Sequence, residues 1–333
     1  MTIHIIHFNN YFGQSLPTEN SLDIDLIKNK LEGYGFNVKL IDIIDIANKK
    51  ITIDPDDYYI IGSHQNPSVK KIVDGVVSIK LRDINLIPKF YHVLAHENKA
   101  IQAMLNSELN LGLLEQLVSI CSKGDMISDY DASKVNKFVS GSGSSGVFVP
   151  NLGETYTKYI NKVFWRATNI SDLIEFIKFR VLGVFFKRTK ENIDYNKSYY
   201  TLVQQEKIKS PGFDYKALVY FDRIYLLKRY VRNNDFRSSG SGNFEFVESI
   251  NKELLDFILD LREKLDVPYV SLDIIDNEGM LNCIEYQCVH FGPYTQMFAN
   301  VLFHKEGESW RKLERKASVE EEMAYAIDRY IRN

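Results

Sequence analysis

The stretch that most constrains this chain is Val135-Asn136-Lys137-Phe138-Val139, then Ser140-Gly141-Ser142-Gly143-Ser144-Ser145-Gly146, then Val147-Phe148-Val149. β-Branched and aromatic residues on each side of a small-residue loop predict strand, loop, strand. Three glycines let backbone N–H groups turn toward one point, and the serines add hydroxyl donors. A loop of that kind can close over a phosphate chain, with Lys137 supplying a fixed positive charge beside it. The common phosphate loop, GxxxxGK[ST], places its lysine after the glycines and opens a helix. Here the lysine comes first and a strand follows. The competing reading is a Gly/Ser tether.

The 333 residues are enough for two or three packed units, and 45% hydrophobic content suits a globular chain. A formal net charge of -3 provides no basic field for nucleic acid. Cys121, Cys283 and Cys288 are few and lack metal spacing, as expected of a reduced, cytoplasmic protein. Met1–Phe8 is too short and polar for a signal peptide and reads as a first strand. No stretch has the uninterrupted apolar length of a membrane span.

Residues 2–8, 37–44 and 57–62 read as strands. Between the first two, Leu22, Ile24, Ile27 and Leu31 recur at helical spacing after Ser21, an N-cap candidate. That order predicts a small open α/β domain over 1–95, with no GxGxxG for a dinucleotide. A second region, 96–333, opens with a helix near Lys99. Helical patterns recur at 153–164, 171–186, 247–264 and 318–332. Strand-like runs cover 200–208, 215–221, 223–231, 268–275 and 281–288.

The pair of runs at 268–288 flanks the turn Asp276-Asn277-Glu278-Gly279. Strand alternation points Glu285 and Gln287 the same way, with Asp273 on the neighbouring strand. Two carboxylates and an amide oxygen are hard ligands suited to Mg2+, with a solvated sheet surface as the alternative. Gln205-Glu206-Lys207-Ile208 ends a strand, where backbone groups can read a base edge. Asp214 beyond the turn can accept from hydroxyls. Lys228, Arg229 and Arg237 add cations suited to phosphoryl and carboxylate oxygens. His64 and His92 lie near strand ends and read as structural or surface histidines. Cys283 and Cys288 read as small buried hydrophobes, because Mg2+ does not favour sulfur. The segment His290–Pro293 lines an acceptor pocket or makes a turn.

In order, Lys99, Lys137 with its loop, Gln205–Ile208, Asp214, Arg237, Asp273 and Glu285-x-Gln287 resemble the ATP-grasp superfamily, in its carboxylate–amine (amino-acid and peptide) ligase branch. The resemblance covers roughly residues 95–293. It implies an N-terminal open-sheet α/β domain followed by a two-lobed ATP-grasp unit, with the small lobe over about 130–205 and the large lobe on both sides. It implies that Lys99 and Lys137 contact ATP phosphates, and that Ser140, Gly141, Ser142, Gly143, Ser144, Ser145 and Gly146 close over them. Glu206, Lys207 and Ile208 would bind adenine, and Asp214 the ribose. Arg237 would face the transferring phosphoryl group, with Lys137 as its catalytic partner. Asp273, Glu285 and Gln287 would hold Mg2+, with Mn2+ as the alternative. The branch usually has Asn where Gln287 stands.

The reaction so implied joins a small-molecule carboxylate to an amine (amino acid, peptide or sugar acid) through an acyl phosphate. A small-molecule kinase and a non-catalytic ATP-binding module are the alternatives. Neither nucleic acid nor membrane is an expected partner, and a homodimer stays open.

Overall fold

The computed structural model describes residues 1–122, 133–139, 146–149, 154–167 and 199–333 without 233–237 and 239, plus isolated positions between 170 and 195. The sequence expectations for Ser140, Gly141, Ser142, Gly143, Ser144, Ser145 and Arg237, and for most of the helical pattern at 171–186, lie outside the described residues. Among the described residues no helix is long and apolar enough to cross a membrane.

The chain forms two compact units. One comprises Met1–His96, Leu105–Leu113 and Ile208–Asn333; the other comprises Glu97–Met104 and Leu114–Lys207.

The first unit begins with β1 (Thr2–His7), α1 (Ile24–Gly33), β2 (Asn37–Asp42), α2 (Ile43–Ala47), β3 (Tyr58–Ile61), α3 (Pro67–Lys80), β4 (Asn85–Ile87) and α4 (Phe90–Ala95). The strands make a parallel sheet in the order β2-β1-β3-β4. Parallel strands covered on both faces need apolar residues at successive positions, and β1 and β3 supply them. Ile3, Ile5 and Ile60 pack in one cluster with Ile27 and Leu31 of α1, while Ile6, Tyr59 and Ile61 pack with Val73, Val76 and Val77 of α3. Each such buried aliphatic side chain stabilises the fold by about 1.5–3 kcal/mol. The cap of α1 differs from expectation. Asp23, not Ser21, accepts from the Leu26 N–H at 3.0 Å. Ser21 instead accepts from the Phe12 N–H at 3.0 Å and donates to the Leu22 carbonyl. The strand expected to reach residue 44 stops at Asp42, which caps α2 through the Ile44 N–H at 2.8 Å.

The second unit receives the first part of α5 (Lys99–Glu108), then β5 (Gln116–Ser122), β6 (Lys134–Phe138), β7 (Val147–Phe148), α6 (Tyr156–Ala167) and β8 (Tyr199–Glu206). Its antiparallel sheet runs β5-β8-β6-β7. Ala100 and Ala103 of α5 pack with Val118, Val139 and Val203. Rings from Phe138, Phe148 and Tyr159 meet in sequence at tilted angles, with centroids 5.4 and 5.8 Å apart. Between β6 and β8, the Gln204 amide donates to Asn136 Oδ1 at 2.9 Å, which satisfies two buried polar side chains mutually.

The first unit resumes with β9 (Phe213–Tyr220), β10 (Arg223–Tyr230), β11 (Phe244–Phe246), α7 (Lys252–Leu265), β12 (Tyr269–Asn277), β13 (Met280–Gln287), α8 (Tyr294–Phe298), β14 (Val301–Glu306), β15 (Ser309–Glu314) and α9 (Val319–Arg332). Seven strands form one sheet, β13-β12-β9-β10-β14-β15, with β11 also paired to β10. Ala217, Val219, Val270, Leu272 and Ile274 face Leu254, Leu255, Ile258 and Leu261 of α7. The alternating residues Leu218, Tyr220, Tyr225 and Tyr269 join the cluster that includes β1, β3 and α9. Ser318 and Glu321 form a capping box at the start of α9.

Candidate functional site

The hairpin β9–β10 turns over two residues, so its register pairs Asp214 with Arg229 and Lys216 with Leu227. On the other side of β9, Lys216 is opposite Asp273 of β12, and Asp273 is opposite Glu285 of β13. Ser271 is opposite Gln287. The period of two therefore brings Asp214, Lys216, Arg229, Asp273, Glu285 and Gln287 onto one face, at the end away from Tyr220 and Tyr269.

Four of them, Asp214, Lys216, Arg229 and Asp273, form a connected network. Arg229 reaches Asp214 through two hydrogen bonds, Nε to Oδ1 at 2.7 Å and Nη2 to Oδ2 at 3.0 Å. The same Nη2 lies 2.9 Å from Asp273 Oδ2, and Lys216 Nζ donates to Asp273 Oδ1 at 2.8 Å. Burial pushes the Asp214 carboxyl up to about 6, against the pull of Arg229. Burial also pushes on Asp273, but Arg229 and Lys216 together outweigh it and hold that carboxyl well below the usual range. The difference has two parts: Lys216 hydrogen-bonds Asp273 beside Arg229, and the Asp273 charge in turn pushes Asp214 up. Cys283 and Cys288 are both buried, as expected of small hydrophobes.

Glu285 and Gln287 are half-buried on the same face. Among the described residues no group of three or more His, Cys, Asp or Glu side chains gathers around one point. The oxygen donors from Asp273, Glu285 and Gln287 are nevertheless hard ligands on one face, with two carboxylates directly opposed, and that donor chemistry fits Mg2+. A bound cation competes with Lys216 and Arg229 for the Asp273 oxygens.

In the second unit, Lys137 on β6 and Lys99 at the start of α5 are 6% and 7% exposed. The Lys99 N–H donates to the Val139 carbonyl at 3.0 Å, which ties the helix start to the chain just beyond β6. Lys137 lies opposite Val203, on the side of the sheet where α5 packs. The Phe138 N–H donates to the Gly146 carbonyl at 3.0 Å, closing the described end of the glycine loop. Glu206 is exposed at the end of β8, and the Lys207 N–H is already bonded to the Ser133 carbonyl at 3.1 Å. Ile208 begins the return to the first unit.

Lys216 and Arg229 were not singled out from the sequence as partners of Asp273. Arg229 had a signal: a two-residue turn at Phe221-Asp222 fixes Asp214 opposite Arg229. Lys216 had none, since its pairing with Asp273 joins strands 57 residues apart.

The chain has the ATP-grasp fold. Among solved structures it resembles ATP-grasp ligase PsnB complexed with minimal precursor, at 11% identity and a TM-score of 0.52, over 99% of each chain. It also resembles the Chryseobacterium gregarium RiPP-associated ATP-grasp ligase in complex with ADP and a leader and core peptide. There the identity is 12% and the TM-score 0.51, over 97% of this chain and 96% of that one. At such identities the likeness establishes the fold. The sequence matches no protein-family model and no curated protein.

Proposed function

We propose that this protein is an ATP- and Mg2+-dependent ligase that joins a carboxylate to an amine through an acyl phosphate. The observation that supports this most is the strand face that sets Asp273 opposite Glu285, with Gln287, Lys216 and Arg229 beside them, within an ATP-grasp fold. In this reading Lys99 and Lys137 neutralise ATP phosphates, and the loop Ser140–Gly146 closes over them. Glu206 with the Lys207 and Ile208 backbone receives adenine. Asp214, expected at the ribose, is 5% exposed and accepts two hydrogen bonds from Arg229, so we assign it to anchoring that guanidinium. Arg237 faces the transferring phosphoryl group. Asp273, Glu285 and Gln287 hold Mg2+ or Mn2+, which when bound neutralises triphosphate charge.

A carboxylate resists an amine because oxide is a poor leaving group. A substrate carboxylate oxygen attacks the γ-phosphorus of ATP and ADP leaves. The amine nitrogen then attacks the acyl carbon, phosphate departs with that oxygen, and the amine gives up a proton. Such transfer depends on positioning and on cations that neutralise developing charge. The neighbouring RiPP-associated ligase was solved with a leader and core peptide, which supports peptides among the candidate substrates beside amino acids and sugar acids.

The test is an ADP-release screen that pairs these carboxylates with amines. Lys137→Ala and Glu285→Gln are each expected to lower turnover about 10²–10³-fold, by analogy with loss of one oxyanion donor. Full turnover by both variants on a genuine substrate sinks the site assignment. Release of ADP with no amine-dependent release of phosphate makes the protein a kinase instead.

A further inference from the structure

The charged face does not stop at Arg229. On the far side of β10, Phe244 of β11 stands directly opposite Arg229, and Phe246 opposite Leu227. Directly opposed residues share a sheet face, so both rings lie on the face that carries Asp273 and Lys216. The helix α8 packs against β9 and β10, and its Tyr294 ring meets Phe244 with centroids 5.4 Å apart. Tyr294 in turn meets Phe298 at 4.6 Å. One path of side chains thus runs from Asp273 through Arg229 to Phe244, Tyr294 and Phe298, within a single compact unit.

Phe246 packs against the core, whereas Phe244, Tyr294 and Phe298 are 38%, 38% and 52% exposed. Single exposed apolar residues are ordinary, but rings in mutual contact at the edge of a charged site mark a place where something apolar sits. Their geometry narrows what that is. Phe244 stands edge-to-face with both Phe246 and Tyr294, at 78° in each pair. A herringbone of this kind is best extended by another ring, whose edge or face meets the complementary quadrupole. An aliphatic group of equal size gains area alone. Arg229 is already held by Asp214 and Asp273, so the wall offers a ligand ring surface rather than charge.

Distance sets the kind of molecule. In the order β12-β9-β10-β11, Asp273 is separated from β11 by three strand spacings, about 14 Å at about 4.8 Å each. An extended chain covers that span with about four residues, and one amino acid covers about a quarter of it.

We propose that Phe244, Tyr294 and Phe298 form a subsite for an aromatic side chain of a peptide substrate, up to about four residues from the carboxylate that is activated. As a substrate subsite it rests on the ligase reading above; as a binding site it does not.

The test uses the full chain without nucleotide and a saturation-transfer NMR titration of acetyl-X-Gly-Gly-Glu-amide, where X is phenylalanine, cyclohexylalanine or alanine. The phenylalanine peptide is expected to bind, with its ring protons receiving the strongest transfer. Cyclohexylalanine, similar in bulk, binds about 2–10-fold more weakly, and alanine more weakly still. Phe298→Ala, at an exposed side chain, loses about three- to tenfold for the phenylalanine peptide. Phe244→Leu keeps an apolar side chain on β11 and removes most of the preference over cyclohexylalanine. Ile79→Ala, exposed on α3, binds like wild type. The proposal is overturned by a phenylalanine peptide that does not saturate, by equal binding of phenylalanine and cyclohexylalanine, or by a Phe298→Ala chain that binds like wild type. Because no ATP is present, those results leave the ligase reading untouched. A failed ADP screen beside a positive titration removes only the ligase reading.

Discussion

Three histidines of the first unit are 4% exposed or less, and burial opposes protonation of each. His92 is 2% exposed, with its ring N–H donating to the Leu265 carbonyl at 2.8 Å. His290 and His96 are 4% and 3% exposed, their ring centroids 4.3 Å apart, with neither nitrogen of either ring bonded among the described residues. Burial pushes His92 and His290 down to about 4 from 6.5, and pushes His96 well down too. A depressed folded value means that the unfolded chain takes up the proton first. The contribution is complete above pH 6.5 and is lost as pH falls through about 4. At pH 5 each of His92 and His290 has forfeited about 2 kcal/mol, a large share of an ordinary domain's 5–15 kcal/mol. Urea unfolding at pH 7.5 and 5.0, followed by Trp310 in a Trp165→Phe background, measures this in the unit that holds the histidines. His290→Phe should show a fall between the two pH values smaller by about 2 kcal/mol than its parent, whatever its absolute stability. An unchanged fall in that variant refutes the reasoning, because it would mean that His290 titrates alike folded and unfolded.

Two further substitutions probe packing. Gly62→Ala places a methyl against the Phe12 carbonyl and should cost about 1–3 kcal/mol, read as a lower midpoint in thermal unfolding; an unaltered midpoint would show that Gly62 and Phe12 are not in contact. Glu322, fully buried on α9, accepts from the Tyr225 hydroxyl at 2.6 Å and Arg223 Nη1 at 3.0 Å. Glu322→Gln leaves a buried ion pair broken and should cost about 3 kcal/mol in urea unfolding, with a loss below about 1 kcal/mol contradicting the pairing.

Legibility varied with the range of the interactions. The Asp276–Gly279 turn was readable because its chemistry is local: Asp276 accepts from the Gly279 N–H at 2.8 Å, and Glu278 and Gly279 take positive φ. The strands β6, β8, β9, β10, β12 and β13 announced themselves through β-branched and aromatic runs. β14 and β15 did not, since Lys305, Glu306, Arg311, Lys312 and Glu314 interrupt their apolar residues near one sheet edge. At the site, the acids and lysines could be picked out by type and order. What held them could not, because Lys216 and Arg229 meet Asp273 only through pairing between distant strands.

The β12–β13 ladder slips by one residue between Asp273 and Ile274, so that Asp273 meets Glu285 while Ile274 meets Cys283, with Ile284 at the slip. The slip acts as a parity switch within a single strand. Glu285 and Gln287, both odd-numbered, lie on the charged face, whereas odd-numbered Cys283 and Leu281 belong with the core under α7. The hairpin tip and the acid-bearing arm thus count in opposite phase. An insertion or deletion of two residues toward the tip preserves both arms. A single-residue change there would have to be absorbed at Ile284, the one position in the strand where the count can be reset without turning Glu285 into the core.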